Sequence, residues 1–273
     1  LPDGFIEKIR AAVKRHGKDK LLLGEVWEDA SNKISQGGRR KYFCGNELDS
    51  VMNYPFRTAI TDFLLTSNAQ VFMDRVYSIY LNYPPKIMNL CMNFLGTHDT
   101  ERILTVLAGI SCSGMSRLSQ SRLTYSDETL FHAKKLMKAA LCMLYTLPGI
   151  PCIYYGDEAG LTGGRDPFNR GCYPWGSEDT DLIGFHKMLG AFRKDAEVLS
   201  DGGFYPLSSA LGCVAYLRYK AGERRVACIA NKNPDTIDYV LNSDMQNMHV
   251  FCGGENIGGS VRIPPETACI LTD

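Results

Sequence analysis

The chain has 273 residues, and its 30 basic and 30 acidic side chains cancel to a formal net charge of zero. This balance argues against nucleic acid or an anionic membrane as a partner, because both are held by basic surfaces. The 45% hydrophobic and 22% charged residues are typical of a globular protein and exclude a disordered chain.

An amphipathic helix is the first predicted element. Phe5, Ile6, Ile9 and Val13 recur at helical spacing within the first turns of the chain. Residue 1 is Leu and not Met, and the helix pattern starts almost at once. We therefore expect this sequence to be an excerpt of a longer protein. It shows no signal-peptide pattern of a basic segment followed by an apolar one.

Four apolar runs that follow are predicted to be strands. They lie at residues 21–23, 50–54, 87–95 and 150–155. Helical patterns alternate with them at residues 56–66, 69–82, 130–144 and 182–194. Such alternation predicts a parallel sheet covered by helices, with strands buried on both faces.

The pattern changes after residue 196. Short β-like runs follow at residues 214–219, 224–230, 237–241, 248–252 and 260–271, separated by Gly, Pro, Asn and Asp. We predict a small all-β sandwich here. The chain would thus divide into an α/β part over residues 1–196 and a β-sandwich over residues 197–273.

The ten cysteines show no metal-binding spacing, because the closest two are ten residues apart. Most lie in apolar runs, so we interpret them as buried free thiols, which favours a cytoplasmic location. The five histidines never pair at i and i+4. We therefore predict neither a metal site nor a cofactor in this sequence.

Carboxylates follow three of the predicted strands, at Glu25, at Asp99 and at the Asp157–Glu158 pair. The carboxyl ends of parallel strands are where α/β folds place their chemistry. Two such carboxylates suit glycoside hydrolysis. Because Glu25 directly follows an apolar strand and lies beside Trp27, we expect its carboxyl to be half-buried. Burial would raise the pKa of this carboxyl toward that of a general acid.

Purely structural roles remain open for the same residues. Glu25 could pair with an arginine at the end of its strand, and His98 with Asp99 could cap the next helix. Tyr173 and Trp175, like Trp27 and Tyr54, could stack on sugar rings, but ordinary aromatic packing is the preferred interpretation for Tyr173 and Trp175.

Four segments resemble motifs of the α-amylase family, glycoside hydrolase family 13, in the order of its fifth to eighth barrel strands. They are residues 24–30 (GEVWEDA), 49–56 (DSVMNYPF), 94–102 (FLGTHDTER) and 148–158 (PGIPCIYYGDE). The resemblance covers essentially the whole chain, and it is strongest to the neopullulanase and cyclomaltodextrinase branch. It implies the C-terminal half of a TIM-type (β/α)8 barrel, strands five to eight, followed by an all-β sandwich domain.

The resemblance also implies roles for individual residues. Glu25 would be the general acid/base and Asp99 the transition-state stabiliser. His98 would bind the sugar at the cleavage point, and Trp27 would line the acceptor side.

Three further residues are expected to contact substrate. Tyr54 is a candidate for sugar stacking, and Asp166 and Arg170 match a substrate-side loop of that branch. Glu28 departs from the histidine often found at its position there, which leaves the acceptor preference open.

The family's nucleophile, an Asp on the fourth strand, has no counterpart before Glu25. The resemblance therefore implies part of a retaining α-glucan hydrolase acting on starch-type oligosaccharides, and we expect this chain alone to be inactive. A calcium ion would belong to the missing N-terminal half. Besides substrate, the expected partner is that missing half or a second copy across the open barrel edges. The alternatives are a 4-α-glucanotransferase of the same family and a non-catalytic binding or scaffold protein.

Overall fold

A computed structural model of the chain describes residues 1–35 and 37–273. Its helices in chain order are α1 Asp3–Arg15, α2 Tyr54–Thr66, α3 Ala69–Asn82, α4 Pro85–Met88, α5 Ile103–Leu107, α6 Arg117–Ser121, α7 Asp127–Thr146, α8 Thr180–Asp195 and α9 Val198–Asp201. Within these residues, none of the helices combines the length and the apolar character that crossing a membrane requires.

The strands divide into short ones among the helices and longer ones near the C-terminus. The short ones are β1 Leu23–Gly24, β2 Ile34–Ser35, β3 Gly38–Arg39, β4 Ser50–Val51, β5 Met92–Asn93 and β6 Ile150–Pro151. The others are β7 Gly203–Ala210, β8 Cys213–Tyr219, β9 Val226–Asn231, β10 Ile237–Val240, β11 His249–Cys252, β12 Glu255–Asn256, β13 Ser260–Ile263 and β14 Thr267–Thr272.

Four of the short strands lie side by side in chain order and run parallel. β1 pairs with β4, a bridge between Met52 and Met92 joins β4 to β5, and β5 pairs with β6. Helices connect β4 to β5 and β5 to β6, as expected for parallel neighbours. The predicted alternation of strands and helices is confirmed from β4 onward, although the strands are only two residues long. Between β1 and β4, the described residues form the antiparallel pair β2–β3 and no helix. Their assignment as strands five to eight of a barrel stays a prediction.

The prediction that all these strands are buried on both faces is wrong for the outer two. Leu21 and Leu23, at β1, are 57% and 41% exposed, and Ile150 and Ile153, at β6, are 46% and 41% exposed. The reason is that, in the described part of the chain, β1 and β6 each have a strand neighbour on one side only. The inner strands differ, since Ser50 and Val51 of β4 are fully buried.

Side-chain hydrogen bonds mark the first turns of two long helices. The Asn53 side chain accepts a hydrogen bond from the Phe56 N–H, and Pro55 occupies the first turn, so α2 begins directly after β4. Ser126 caps α7 in the same way, by accepting from the Thr129 N–H. The second half of α7 is buried on all sides, which places this helix at the centre of the main hydrophobic core.

The C-terminal strands form two antiparallel sheets. One has the order β11-β14-β9-β8-β7 and the other β10-β13-β12. A second hydrophobic core, which includes Ile229 and Leu271 of one sheet and Val261 and Ile263 of the other, lies between them. The predicted run at residues 260–271 is therefore two strands, separated by a turn in which Glu266 has a positive φ. The predicted division at 196/197 stays a prediction.

Arg218 of β8 ties the sheet to the helical part. Its buried guanidinium donates hydrogen bonds to the carbonyls of Thr146 and Gly202 at 2.8 Å each. Longer bonds reach the carbonyls of Gly203 and Val198. One side chain thus satisfies carbonyls at the end of α7, in α9 and at the start of β7.

Candidate active site

Glu25 follows β1 directly and contacts the residue that opens α2. The Tyr54 hydroxyl donates a 2.9 Å hydrogen bond to Oε1 of Glu25. The Trp27 ring stacks on Tyr54, with ring centroids 4.1 Å apart and planes 15° from parallel. Burial, followed by the effect of Glu25, raises the pKa of Tyr54 to about 12, so this phenol remains a donor at neutral pH.

Glu25 itself is exposed, and the prediction of a half-buried carboxyl beside the indole is wrong. Tyr54 takes the expected place of the acid, because its buried ring fills the space against Trp27 and Phe94. Oε2 of Glu25 has no partner in the described residues. The carboxyl therefore presents one free oxygen to solvent.

His98 and Asp99 come from the loop after β5 and lie beside Glu25. Ligand atoms of these three exposed side chains are all within 4.8 Å of one another. Nε2 of His98 is 3.3 Å from Oδ2 of Asp99. The structure thus brings together the two carboxylates and the imidazole that the sequence singled out.

The loop that carries Asp166 and Arg170 reaches the same place. Nε of Arg170 pairs with Oδ1 of Asp166 at 2.7 Å, and an Nη2 contact of 3.5 Å connects Arg170 to Oδ1 of Asp99. All seven predicted site residues therefore lie at one end of the parallel strands or on the loop that meets it. Farther along the same loop, Tyr173 and Trp175 contact each other with ring centroids 4.5 Å apart, and Trp175 is exposed.

Asn169, which was not among the predicted site residues, is hydrogen-bonded to the loop that carries Asp99. Its buried Nδ2 donates to the carbonyls of His98 and Thr100, at 2.8 Å each, and to that of Thr97 at 3.4 Å. An asparagine in a polar loop carries no sequence signal for this role, because its acceptors are backbone groups some seventy positions earlier.

A buried pair of side chains, Arg102 and Asp157, contacts the loop that carries Asn169. Nη1 of Arg102 lies 3.0 Å from Oδ1 of Asp157, and Nε of Arg102 donates to the Asn169 carbonyl at 2.7 Å. The guanidinium also lies over the rings of Tyr154 and Tyr155. Burial raises the pKa of Asp157 to about 7 although Arg102 opposes the shift. Gly96 lacks the Cβ that would collide with this carboxyl.

Glu25, His98 and Asp99 are also the one set of described residues with the spacing to hold a metal ion. Two of the three already have other partners, since Tyr54 donates to Glu25 and Arg170 approaches Asp99. A positive guanidinium next to the site disfavours a second cation there. The absence of a metal site stays a prediction.

The chain is similar in sequence to curated proteins named amylopullulanase and cyclomaltodextrinase. An amylopullulanase of Thermoanaerobacter thermohydrosulfuricus is 37% identical over 210 residues, which is 72% of this chain and 13% of that protein. A cyclomaltodextrinase of a Bacillus species is 30% identical over 252 residues, 91% of this chain and 38% of its own length. The chain thus spans about two fifths or less of these relatives.

A solved cyclomaltodextrinase structure superposes with a TM-score of 0.77 at 26% identity, covering 99% of this chain and 43% of that one. The family model described as "Alpha amylase, catalytic domain" matches residues 3–197, which include every residue of the candidate site. Because this family model matches more than half of the 273 residues, the chain belongs to the α-amylase family.

Proposed function

We propose that this chain forms part of a retaining α-glucan hydrolase, with Glu25 as general acid/base and Asp99 as transition-state stabiliser. The observation that carries the proposal is the approach of Glu25, His98 and Asp99 to within 4.8 Å at the ends of parallel strands. The rule that retaining enzymes hold two carboxyl groups about 5 Å apart applies to the acid/base and the nucleophile. Because Asp99 is not the proposed nucleophile, the retaining outcome is proposed from the family membership of the chain.

Glu25 would transfer the proton. The Tyr54 hydroxyl donates to one oxygen of its carboxyl, so the other oxygen is free to protonate the glycosidic oxygen as the C–O bond breaks. In the second step the same carboxylate would take a proton from water as that water attacks the glycosyl-enzyme. Asp99 and His98 would bind the hydroxyls of the reacting sugar, with Arg170 and Asn169 fixing the position of Asp99.

The nucleophile has to come from elsewhere. We propose that these residues supply strands five to eight of the catalytic barrel and that a fourth-strand Asp from a longer polypeptide completes the site. Coverage of 99% of this chain but 43% of the cyclomaltodextrinase structure supports this. The exposed outer sides of β1 and β6 are where further strands, or a second copy, would pair.

Starch-type α-glucans are the proposed substrates, because the relatives are a cyclomaltodextrinase and an amylopullulanase by name. The exposed Trp27 indole next to Glu25 offers a stacking surface for an acceptor sugar. That observation favours a 4-α-glucanotransferase as the second candidate, and the ratio of hydrolysis to transfer products separates the two. A neutral substrate of this kind fits a chain without net charge.

For the protein's location we propose the cytoplasm, because most of its cysteines are free thiols in the buried or half-buried parts of the chain.

Substitutions in the longer polypeptide test the assigned roles. Glu25→Gln and Asp99→Asn should each lower kcat on maltodextrin about 10³-fold, whereas Glu255→Gln, a matched change in β12, should leave it unaltered. A non-catalytic binding protein would show no turnover in any variant. Turnover that survives Glu25→Gln would contradict the proposal.

A further inference from the structure

Trp175 has the most exposed aromatic side chain in the described part of the chain, at 82% exposure. Its contact with the Tyr173 ring, at a centroid distance of 4.5 Å and an angle of 49° between the planes, therefore covers only a small part of the indole. Tryptophan is highly buried on average in folded proteins. Core packing thus does not account for the position of Trp175.

A tight turn fixes the backbone that carries this indole. The Ser177 N–H donates to the Pro174 carbonyl at 2.9 Å, so residues 174–177 form a β-turn with Trp175 at its second position. Gly176 follows with a φ of +80°, which a type II turn requires at its third position and which favours glycine there. A backbone that is already ordered lowers the cost of binding a ligand.

Hydrogen bonds anchor the loop on both sides of the turn. Before it, the Tyr155 hydroxyl donates to the Gly171 carbonyl at 2.9 Å. After it, the Asp179 N–H donates to the Ala159 carbonyl at 3.1 Å, and the Asp179 carboxylate pairs with Lys134 of α7 at 2.6 Å. Tyr155 and Ala159 both lie in the segment that follows β6. The loop is therefore fixed to the end of the parallel strands at which the candidate active site lies.

The same loop contacts the candidate active site shortly before the turn. Arg170 lies 3.5 Å from Asp99 and precedes Trp175 by five residues. Five residues of extended chain span at most about 18 Å. Several linked glucose units are long enough to reach from a sugar held at Asp99 to the indole.

We propose that Tyr173 and Trp175 form a stacking platform that binds glucose units of an α-glucan chain beyond the reacting sugar. The proposal rests on the proposed function, because it extends the substrate site of that function. The apolar face of a glucose ring packs on an aromatic ring while the sugar hydroxyls stay in water. The polar atoms of the platform's side chains are an indole N–H and a phenol hydroxyl, so the platform favours an uncharged ligand.

Tryptophan fluorescence of the 273-residue chain tests the contact directly. The chain has two tryptophans, so Trp27→Phe leaves Trp175 as the single one. Maltoheptaose at millimolar concentration should then shift the emission to shorter wavelengths as a sugar covers the indole, whereas sorbitol at the same concentration should not. Adding Tyr173→Ala should weaken the response. An emission that maltoheptaose leaves unchanged overturns the proposal.

Kinetics of the longer polypeptide separate a binding role from a structural one. Trp175→Ala should raise KM for maltoheptaose about 3- to 10-fold at unchanged kcat, and should leave KM for maltotriose unaltered because the short substrate does not reach the platform. Trp175→Phe should retain most of the affinity. Tyr205→Ala, which removes an exposed aromatic ring of β7, is the matched control and should change neither constant.

The two proposals fail in different ways. A KM for maltoheptaose that Trp175→Ala leaves unchanged, or an equal rise for both substrates, overturns the platform while hydrolysis by the parent still supports the proposed function. A parent that hydrolyses neither substrate contradicts the proposed function, and the fluorescence of Trp175 then decides on the platform by itself.

Discussion

At the scale of single residues, the candidate site depends on side chains that do not touch substrate. Asn169 is the clearest case, because one buried amide holds three carbonyls around Asp99. Its own carbonyl accepts from Arg102, whose Nη1 lies 3.0 Å from Oδ1 of Asp157. The loop of the exposed catalytic candidates is thus held by a buried network in which Asn169, Arg102 and Asp157 are connected by hydrogen bonds.

Asn169→Ala should lower the free energy of unfolding by about 2–3 kcal/mol, because buried carbonyls lose their donor. Denaturation by urea measures the change. Asn46→Ala removes an exposed asparagine and serves as the control, with an expected change below about 0.5 kcal/mol. Equal effects of the two substitutions would show that the Asn169 amide does not hold the loop.

His186 makes stability depend on pH. Burial lowers the pKa of this imidazole from 6.5 to about 4, and its Nδ1 lies 3.2 Å from the Tyr145 hydroxyl. Because the unfolded chain binds a proton that the folded chain excludes, its contribution is complete above pH 6.5 and is lost as pH falls toward 4. The expected loss is about 1 kcal/mol per pH unit in that window.

His186→Gln should therefore flatten the fall in stability between pH 6.5 and pH 4, as measured by urea denaturation across that range. The exposed His16, changed to Gln, is the control and should leave the pH profile unaltered. If the His186 variant loses stability on acidification as steeply as the parent, the buried imidazole is not the cause.

At the scale of elements, Arg218 shows how the two parts of the chain hold together. Burial lowers the pKa of its guanidinium to about 9, but the group remains charged at neutral pH. Its hydrogen bonds connect carbonyls from α7, α9 and β7 to one side chain, and the Val198 carbonyl also accepts from the Gly202 N–H at 2.8 Å.

Arg218→Met keeps much of the apolar volume but removes these hydrogen bonds, so the Thr146 carbonyl at the end of α7 loses the donor at 2.8 Å. We expect a loss of about 3–5 kcal/mol in the free energy of unfolding, visible as a large drop in Tm. Arg15→Met, on the exposed face of α1, is the matched control with little expected change. A drop in Tm no larger than the control's would mean that α9 and β7 are held by other contacts.

The features of a strand that the sequence can predict are those that depend on local patterns of residues. Strand-end carboxylates such as Glu25 and Asp99 are predictable, because an apolar run followed by a polar group is a local pattern. The exposure of Leu21 and Ile150 is not, because it depends on whether another strand pairs with β1 or β6. The exposure of Glu25 is unpredictable for a related reason, since Tyr54, 29 positions away, fills the space beside the indole.

At the scale of the whole molecule, β1 and β6 each lack a second strand neighbour within residues 1–35 and 37–273, and exposed apolar side chains lie at both. Strand edges of this kind promote association. Light scattering should therefore find the isolated chain in concentration-dependent oligomers. Leu21→Lys should weaken them, whereas Leu211→Lys, at a more exposed leucine between β7 and β8, should not. A stable monomer at all concentrations would contradict this expectation.

The central claim is that this chain supplies the acid/base and the stabilising carboxylate of an α-glucan hydrolase but not its nucleophile. Release of reducing ends from maltodextrin, pullulan and cyclodextrin, by the 273-residue chain alone and by the longer polypeptide, tests it most directly. The account predicts no turnover by the chain alone and turnover by the longer polypeptide. Robust hydrolysis by the isolated chain would contradict it, and would make Asp99 the candidate nucleophile opposite Glu25.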